Sequence, residues 1–217
     1  MDFSDHSFFA SANCALYCGA VVDFVDIDFE TNNMSISSLE HKLKNARVAG
    51  ALPSIVIPVH MGGRRCDMKA IHKLSLEYGF EIIEEASHAI GGCYSGILFG
   101  CCEYSDVTVF SFHPVKIIST GEGSAVATNN SDVNRKLNLL LSHGITRNEK
   151  EMVGPSDGAW YSQQTQRGFN YRMTDMQAAL GVSQMLRIDQ FFEKHNELTE
   201  VYRAKLSSLP LSLHLNY

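Results

Sequence analysis

The run Ser54-Ile-Val-Ile-Pro-Val59, the apolar positions Met68, Ile71, Leu74 and Leu76 between Asp67 and Gly79, and the run Phe80-Glu-Ile-Ile83 together decide the fold. Ser54 to Val59 is apolar without alternation, as in a strand buried on both faces. Asp67 suits a helix N-cap, where a carboxylate accepts from free backbone N–H groups, and Gly79 suits the residue just past the helix end. Phe80 to Ile83 reads as the next strand. Working back toward the N-terminus, Ser37 to Asn45 fits a short amphipathic helix opened by a serine cap. Val21 to Ile27 reads as a strand, and Ser11 to Cys18 as a helix ended by Gly19. The first ninety or so residues therefore predict β–α–β–α–β, an α/β fold with a mostly parallel sheet covered by helices.

Toward the C-terminus, Val107 to Phe112 and Ser124 to Thr128 look like further strands, and Asn130 to Leu141 like a helix. Gly144 to Gly168 is polar with few periodic apolar positions and reads as a long loop, a class of segment that is often functional. Thr174 with Gln177 three residues on forms a capping box, and the pattern stays helical from there to Leu206. Pro210 to Tyr217 is short and apolar with no partner in sequence, so the chain reads as stopping inside a domain.

The 217 residues amount to one to one and a half domains. Hydrophobic residues make up 45% and charged residues 19%, the balance of a globular protein rather than a disordered one. Eighteen Lys and Arg against 24 Asp and Glu leave a net charge of −6. With no basic cluster, nucleic acid and anionic membrane are poor partners. The longest apolar runs are too short to span a bilayer, and the opening Met-Asp-Phe-Ser-Asp-His has acids where a signal peptide needs Lys or Arg. These features predict a cytoplasmic protein. Its six cysteines include no C-x-x-C, and a reducing compartment argues against disulfides. Cys14 and Cys18 share a helix face, and two small apolar residues against the core explain them more simply than a metal pair.

In an α/β sheet, ligands collect at the carboxyl ends of strands, and two strand ends here carry polar residues. Glu84, Glu85, Ser87 and His88 follow Ile83. Ser111, His113 and Lys116 follow Phe110. Lys116 lies between Val115 and Ile117-Ile118, a neighbourhood that favours a neutral, nucleophilic amine. A lysine snorkelling to water explains the same letters. Glu85 and His88 form a second candidate pair, with a solvated carboxylate and a structural histidine as the alternative. His60, Arg64 and Arg65 could hold an anion, but a solvated turn is the simpler reading. Neither Gly62-Gly63 nor Gly121-x-Gly123 completes a dinucleotide or P-loop fingerprint, and no metal-ligand or nucleophile-elbow motif is present.

Several of these segments combine with others in one order. They are Ser11 to Ala20 with the strand to Asp28, Ile57-Pro-Val-His-Met-Gly-Gly63, and Ile83-Glu-Glu-Ala-Ser-His-Ala89. Phe110-Ser-Phe-His-Pro-Val-Lys116, Thr120-Gly-Glu-Gly123 and Gly168-Phe-Asn-Tyr-Arg-Met-Thr-Asp175 follow. From about Phe8 to the end, their order and spacing resemble the DegT/DnrJ/EryC1/StrS sugar aminotransferases. Phe110 to Lys116, Ser142 to Arg147 and Asn170 to Asp175 look most like the pseudaminic acid branch. The resemblance implies the large domain of the aspartate-aminotransferase-type (fold type I) fold, with pyridoxal 5'-phosphate as cofactor. It implies transfer of an amino group, with glutamate as donor, to a nucleotide-linked 4-keto-6-deoxy sugar, in a homodimer with shared sites.

By the same resemblance, Lys116 matches the lysine that bonds to the cofactor aldehyde and then moves the proton. Ser111 matches a serine that binds the cofactor phosphate, and Phe8 an aromatic that stacks on the pyridine ring. His88 matches a His or Gln beside the phenolic oxygen, and Asn170 an asparagine that reaches the neighbouring subunit's phosphate. Glu85 stands where the family has Asp, the carboxylate that keeps the pyridine nitrogen protonated. The family also has a phosphate loop before Phe8 and a small domain after the long helix. Residues 1–217 therefore resemble a large cofactor-binding domain incomplete at both ends, with 174–206 leading toward a small domain. A complementing chain would then supply the rest. The competing reading is an inactive aminotransferase-like protein that only associates with a partner chain.

Overall fold

The computed structural model describes residues 2–4 and 9–210. Its strands are β1 (Asp2–Ser4), β2 (Asp23–Val25), β3 (Ile55–Ile57), β4 (Glu81–Glu85), β5 (Cys93–Tyr94), β6 (Ile97–Leu98), β7 (Val107–Ser111), β8 (Ser124–Ala127), β9 (Ile145–Thr146) and β10 (Gln163–Gln164). Its α-helices are α1 (Phe9–Tyr17), α2 (Ile36–Ala49), α3 (Met68–Tyr78), α4 (Ser131–Leu141), α5 (Asp175–Met185) and α6 (Ile188–Leu206). Six strands form one sheet in the order β2-β1-β3-β4-β7-β8. Neighbours from β2 to β7 are parallel, and β8 closes the edge antiparallel to β7. The parallel sheet under helices is the one the sequence predicts. β1, only three residues long, carries no sequence signal of its own.

The helix ends form as the cap residues predict. The Asp67 carboxylate accepts from the Ala70 N–H, and Gly79 takes the left-handed conformation at the end of α3. The serine cap of α2 is Ser35 rather than a residue nearer Ser37. α2 and α3 then bury Leu39, Leu43, Ile71 and Leu74 against Val25, Val56 and Ile82 on one face of the sheet. That face holds the main core. The opposite face is thinner: Ala15 of α1 buries against Ile57, with Ala12, Val22, Ile55 and Ile83 half-buried around them.

Three expectations are corrected. Cys14 and Cys18 are both exposed, because α1 turns its alanines to the sheet. The stretch 144–168 is not a plain loop, since β9 and β10 pair antiparallel within it. The helical pattern of 174–206 is two helices, parted at Leu186 and Arg187, where Arg187 leaves the helical region. The break re-aims the chain so that Ile188 and Phe192 pack on the turn at Gly91. A Cβ at Gly91 would lie 2.6 Å from Ile188 Cδ1 and 2.8 Å from Phe192 Cε2, so only glycine admits that approach. Among the described residues, no helix is long and apolar enough to cross a membrane.

Candidate active site

The parallel strands end together, and the candidate residues stand at that edge. Glu85 is the last residue of β4 and Ser111 the last of β7, and a parallel bridge extends β3 to pair Val59 with Glu85. His88 follows β4 by one turn, and Lys116 sits in the crossing from β7 to β8, its N–H on the His113 carbonyl at 2.9 Å. All four side chains are half-buried.

Three of them lie within reach of one another's charge. The His88 imidazole is held below its ordinary value, first by burial and then by the positive charge of Lys116, while Glu85 acts in the opposite sense. Its Nδ1 accepts from the Gly62 N–H at 3.3 Å. Glu85 Oε1 accepts from the Ser87 N–H at 2.8 Å, which fixes the carboxylate at the strand tip. Among the described residues no hydrogen bond or ion pair engages the Lys116 amine. The apolar cage expected around Lys116 is only half formed: Ile118 is buried, but Val115 is 78% exposed.

The crossing that carries Lys116 is clamped by α5. Gln184 Nε2 donates to the Ser119 carbonyl at 2.6 Å, and its Oε1 accepts from the Ser119 N–H at 3.1 Å. Gln177, the capping-box residue, also donates through Nε2 to the Glu122 carbonyl at 2.9 Å. Thr120 Oγ1 donates to that same carbonyl. A lysine on a loop is thus tethered at three points within six residues of its Cα.

The remaining candidates fall differently. Asn170 is exposed and bridges to Ser142, and its Oδ1 accepts from Arg172 Nε at 3.1 Å. Phe8 lies outside the described residues. The Arg64 guanidinium is held by the Glu30 carbonyl, and that of Arg65 by the Cys93 carbonyl. His60 is fully buried, with Nε2 2.7 Å from Glu84 Oε1, so the turn is neither solvated at His60 nor built for an anion. A cavity of about 800 Å³ opens elsewhere, beside Asp28, Asn33, Ser35, Arg65 and Asp67, and none of the strand-tip residues lines it. In α/β sheets of this kind ligands collect at the carboxyl ends of the strands.

Residues 3–216 match the DegT/DnrJ/EryC1/StrS aminotransferase family. The chain belongs to that family. A UDP-4-amino-4,6-dideoxy-N-acetyl-beta-L-altrosamine transaminase of Campylobacter jejuni is 39% identical over 90% of this chain and 48% of its own. A GDP-perosamine synthase of Caulobacter vibrioides is 34% identical over 94% and 50%. Among solved structures, Helicobacter pylori PseC, an aminotransferase involved in the biosynthesis of pseudoaminic acid, superposes with a TM-score of 0.84. It is 26% identical, over 96% of this chain and 52% of that one. The chain spans about half the length of the curated relatives it matches. The mostly parallel sheet with its helices is that of the α/β pyridoxal-phosphate fold type I, and the family's aminotransferases depend on that cofactor.

Proposed function

We propose that this chain is the cofactor-binding part of an aminotransferase acting on a nucleotide-linked 4-keto-6-deoxy sugar, with glutamate as donor, in pseudaminic acid or related surface-sugar synthesis. The observation that carries the reading is the convergence of Lys116, His88 and Glu85 at the carboxyl ends of β4 and β7. These groups fit pyridoxal phosphate: an amine with no competing partner among the described residues, a carboxylate for a ring nitrogen, an imidazole for a phenolic oxygen and the Ser111 hydroxyl for phosphate. When bound, that cofactor supplies an aldehyde and an electron-withdrawing ring.

The chain's own groups do the rest. Lys116 offers its amine for covalent attachment and, once displaced by the donor's amine, would carry a proton between the carbon that bears the amino group and the cofactor's aldehyde carbon. Gln184 and Gln177 hold its loop in place, and a loop so tethered keeps the amine within the narrow range that such transfers tolerate. Glu85, fixed by the Ser87 N–H, holds a proton on the ring nitrogen. Its side chain is one methylene longer than the family's Asp. The His88 ring, whose protonated form is disfavoured by burial and by the Lys116 charge, would donate through Nε2 to the phenolic oxygen. Asn170 is exposed, and its Nδ2 would reach the phosphate of a second copy in a homodimer with shared sites. We place this assembly in the cytoplasm, with residues 1–217 as an incomplete large domain and 174–206 leading toward a small one.

The decisive experiment adds pyridoxal phosphate to the purified chain, records the visible spectrum, reduces with borohydride and maps the modified peptide. The expected result is a visible band and a pyridoxyl mass on Lys116, both lost in Lys116→Ala. No band and no modified peptide would favour the inactive, association-only reading. Glu85→Asp restores the family's shorter carboxylate and is expected to leave cofactor binding and turnover equal or better. A large fall would show a site re-adapted to the longer side chain.

A further inference from the structure

Asn33 is 2% exposed and sits on the loop between β2 and α2. A buried amide is costly unless both its ends are bonded. Both ends of Asn33 go to one short turn and its cap, Met61 to Arg64, on the loop after β3. Its Oδ1 accepts from the Met61 N–H at 3.0 Å, and its Nδ2 donates to the Arg64 carbonyl at 3.0 Å. The start of that turn is fixed separately by His60. The His60 Nδ1 accepts from the Cys66 N–H at 3.1 Å, and its backbone N–H donates to the Glu85 carbonyl at 3.1 Å. The turn therefore has both ends held by one buried side chain and its entry pinned to β4.

In the middle of this turn is Gly62, and its N–H points at His88 Nδ1. A ring nitrogen that accepts carries no proton, so in the neutral ring the proton is on Nε2. We propose that Asn33 is a positioning residue for His88: by clamping the Met61–Arg64 turn it aims the Gly62 N–H at Nδ1, and so fixes the tautomer that presents Nε2–H as a donor. The tautomer follows from hydrogen bonds alone, while its use against a cofactor's phenolic oxygen rests on the function proposed above. Gly62 has φ +61°, a left-handed conformation that glycine adopts without strain, so the turn can aim its N–H at the ring.

The test is 15N NMR of the chain labelled in histidine, without cofactor, in wild type, Asn33→Ala and Asn33→Asp. The Asp variant keeps the side-chain volume and the acceptor for Met61 but loses the donor to Arg64, and it serves if the Ala variant does not fold. The expected wild-type spectrum shows His88 protonated on Nε2, with an accepting Nδ1. In either variant the Nδ1 resonance is expected to move toward the protonated position, while circular dichroism stays that of wild type. A wild-type His88 protonated on Nδ1 would overturn the proposal, and so would an unchanged His88 in a folded variant. Because no cofactor is present, neither outcome depends on the pyridoxal reading, and the covalent capture at Lys116 tests that reading separately.

Discussion

Glu84 and Glu85 are consecutive residues on β4 that lie on opposite faces of the sheet, and their fates separate the two halves of the molecule. Glu84 enters the face closed by α2 and α3, where His60, Thr108 and Ser105 surround its carboxylate at 2.7, 2.7 and 2.9 Å. Every polar atom there is matched, so the charge stabilises structure and does nothing else. Glu85 enters the thinner face, half-buried beside His88, with one oxygen fixed by a backbone N–H. The proposed reactive groups sit where the sheet is not sealed. A charge becomes available for chemistry only where the fold leaves some of its bonding capacity unmatched.

The strongest way to break this contrast is Glu84→Ala. It leaves the His60 ring and two hydroxyls without their common acceptor in a buried site, a loss of about 3–5 kcal/mol in chemical unfolding. Glu84→Gln keeps the shape and one acceptor and is expected to cost much less. The pH dependence carries a definite sign. Burial pushes the Glu84 carboxyl up, but the bonds from His60, Thr108 and Ser105 outweigh it and hold the group below the usual glutamate value. A depressed folded value stabilises above the unfolded one, about 4.3, and that contribution is lost as pH falls through the folded value. Unfolding curves measured across the acid range should fall less steeply in Glu84→Gln. Equal slopes would show that the network carries no net charge effect.

A second comparison sets Leu43, fully buried on α2, against Leu180, 46% exposed on α5. Leu43→Ala removes side-chain contacts and leaves a cavity, for about 2–5 kcal/mol. Leu180→Ala is expected to stay within about 0.5 kcal/mol for the isolated chain. A large cost at Leu180 would mean that a second molecule covers α5 under the conditions of measurement.

The closed face was legible in the sequence because its signals are local. An unbroken apolar run, an Asp three residues ahead of a bonded N–H and a glycine after the last helical apolar residue each state their own structure. Lys116, Ser111, Glu85 and His88 were legible as polar residues at predicted strand ends. Their roles came from the family resemblance, since each alone has an ordinary explanation. What the letters did not show depends on distance. Asn33 sits in the polar stretch Glu30-Thr-Asn-Asn, and nothing in its pattern marks it as the amide that holds a turn some thirty residues on. The break at Leu186–Arg187 has no glycine or proline to announce it, because its cause is the packing of Ile188 and Phe192 on Gly91, almost a hundred residues earlier.

The smallest effect is expected at the other end of β4, and it sharpens the comparison because its sign is opposite. Glu81 is exposed and shares a proton-dependent contact with Asp106, whose Oδ2 accepts from the Ile82 N–H at 2.7 Å. The hydrogen bond with Asp106, and then its charge, hold the Glu81 carboxyl above the usual value. A raised folded value means that the contribution is fully present below the unfolded value and is lost as pH rises through the folded one. Glu81→Gln keeps a donor toward Asp106 at every pH, so the variant should gain slightly on wild type between mildly acidic and neutral pH and not in strong acid. Solvent screening keeps the gain small. The same strand therefore carries one glutamate that acid harms and one that acid helps. If Glu81→Gln instead lost stability at neutral pH, the two carboxylates would have to be held together by something other than a shared proton.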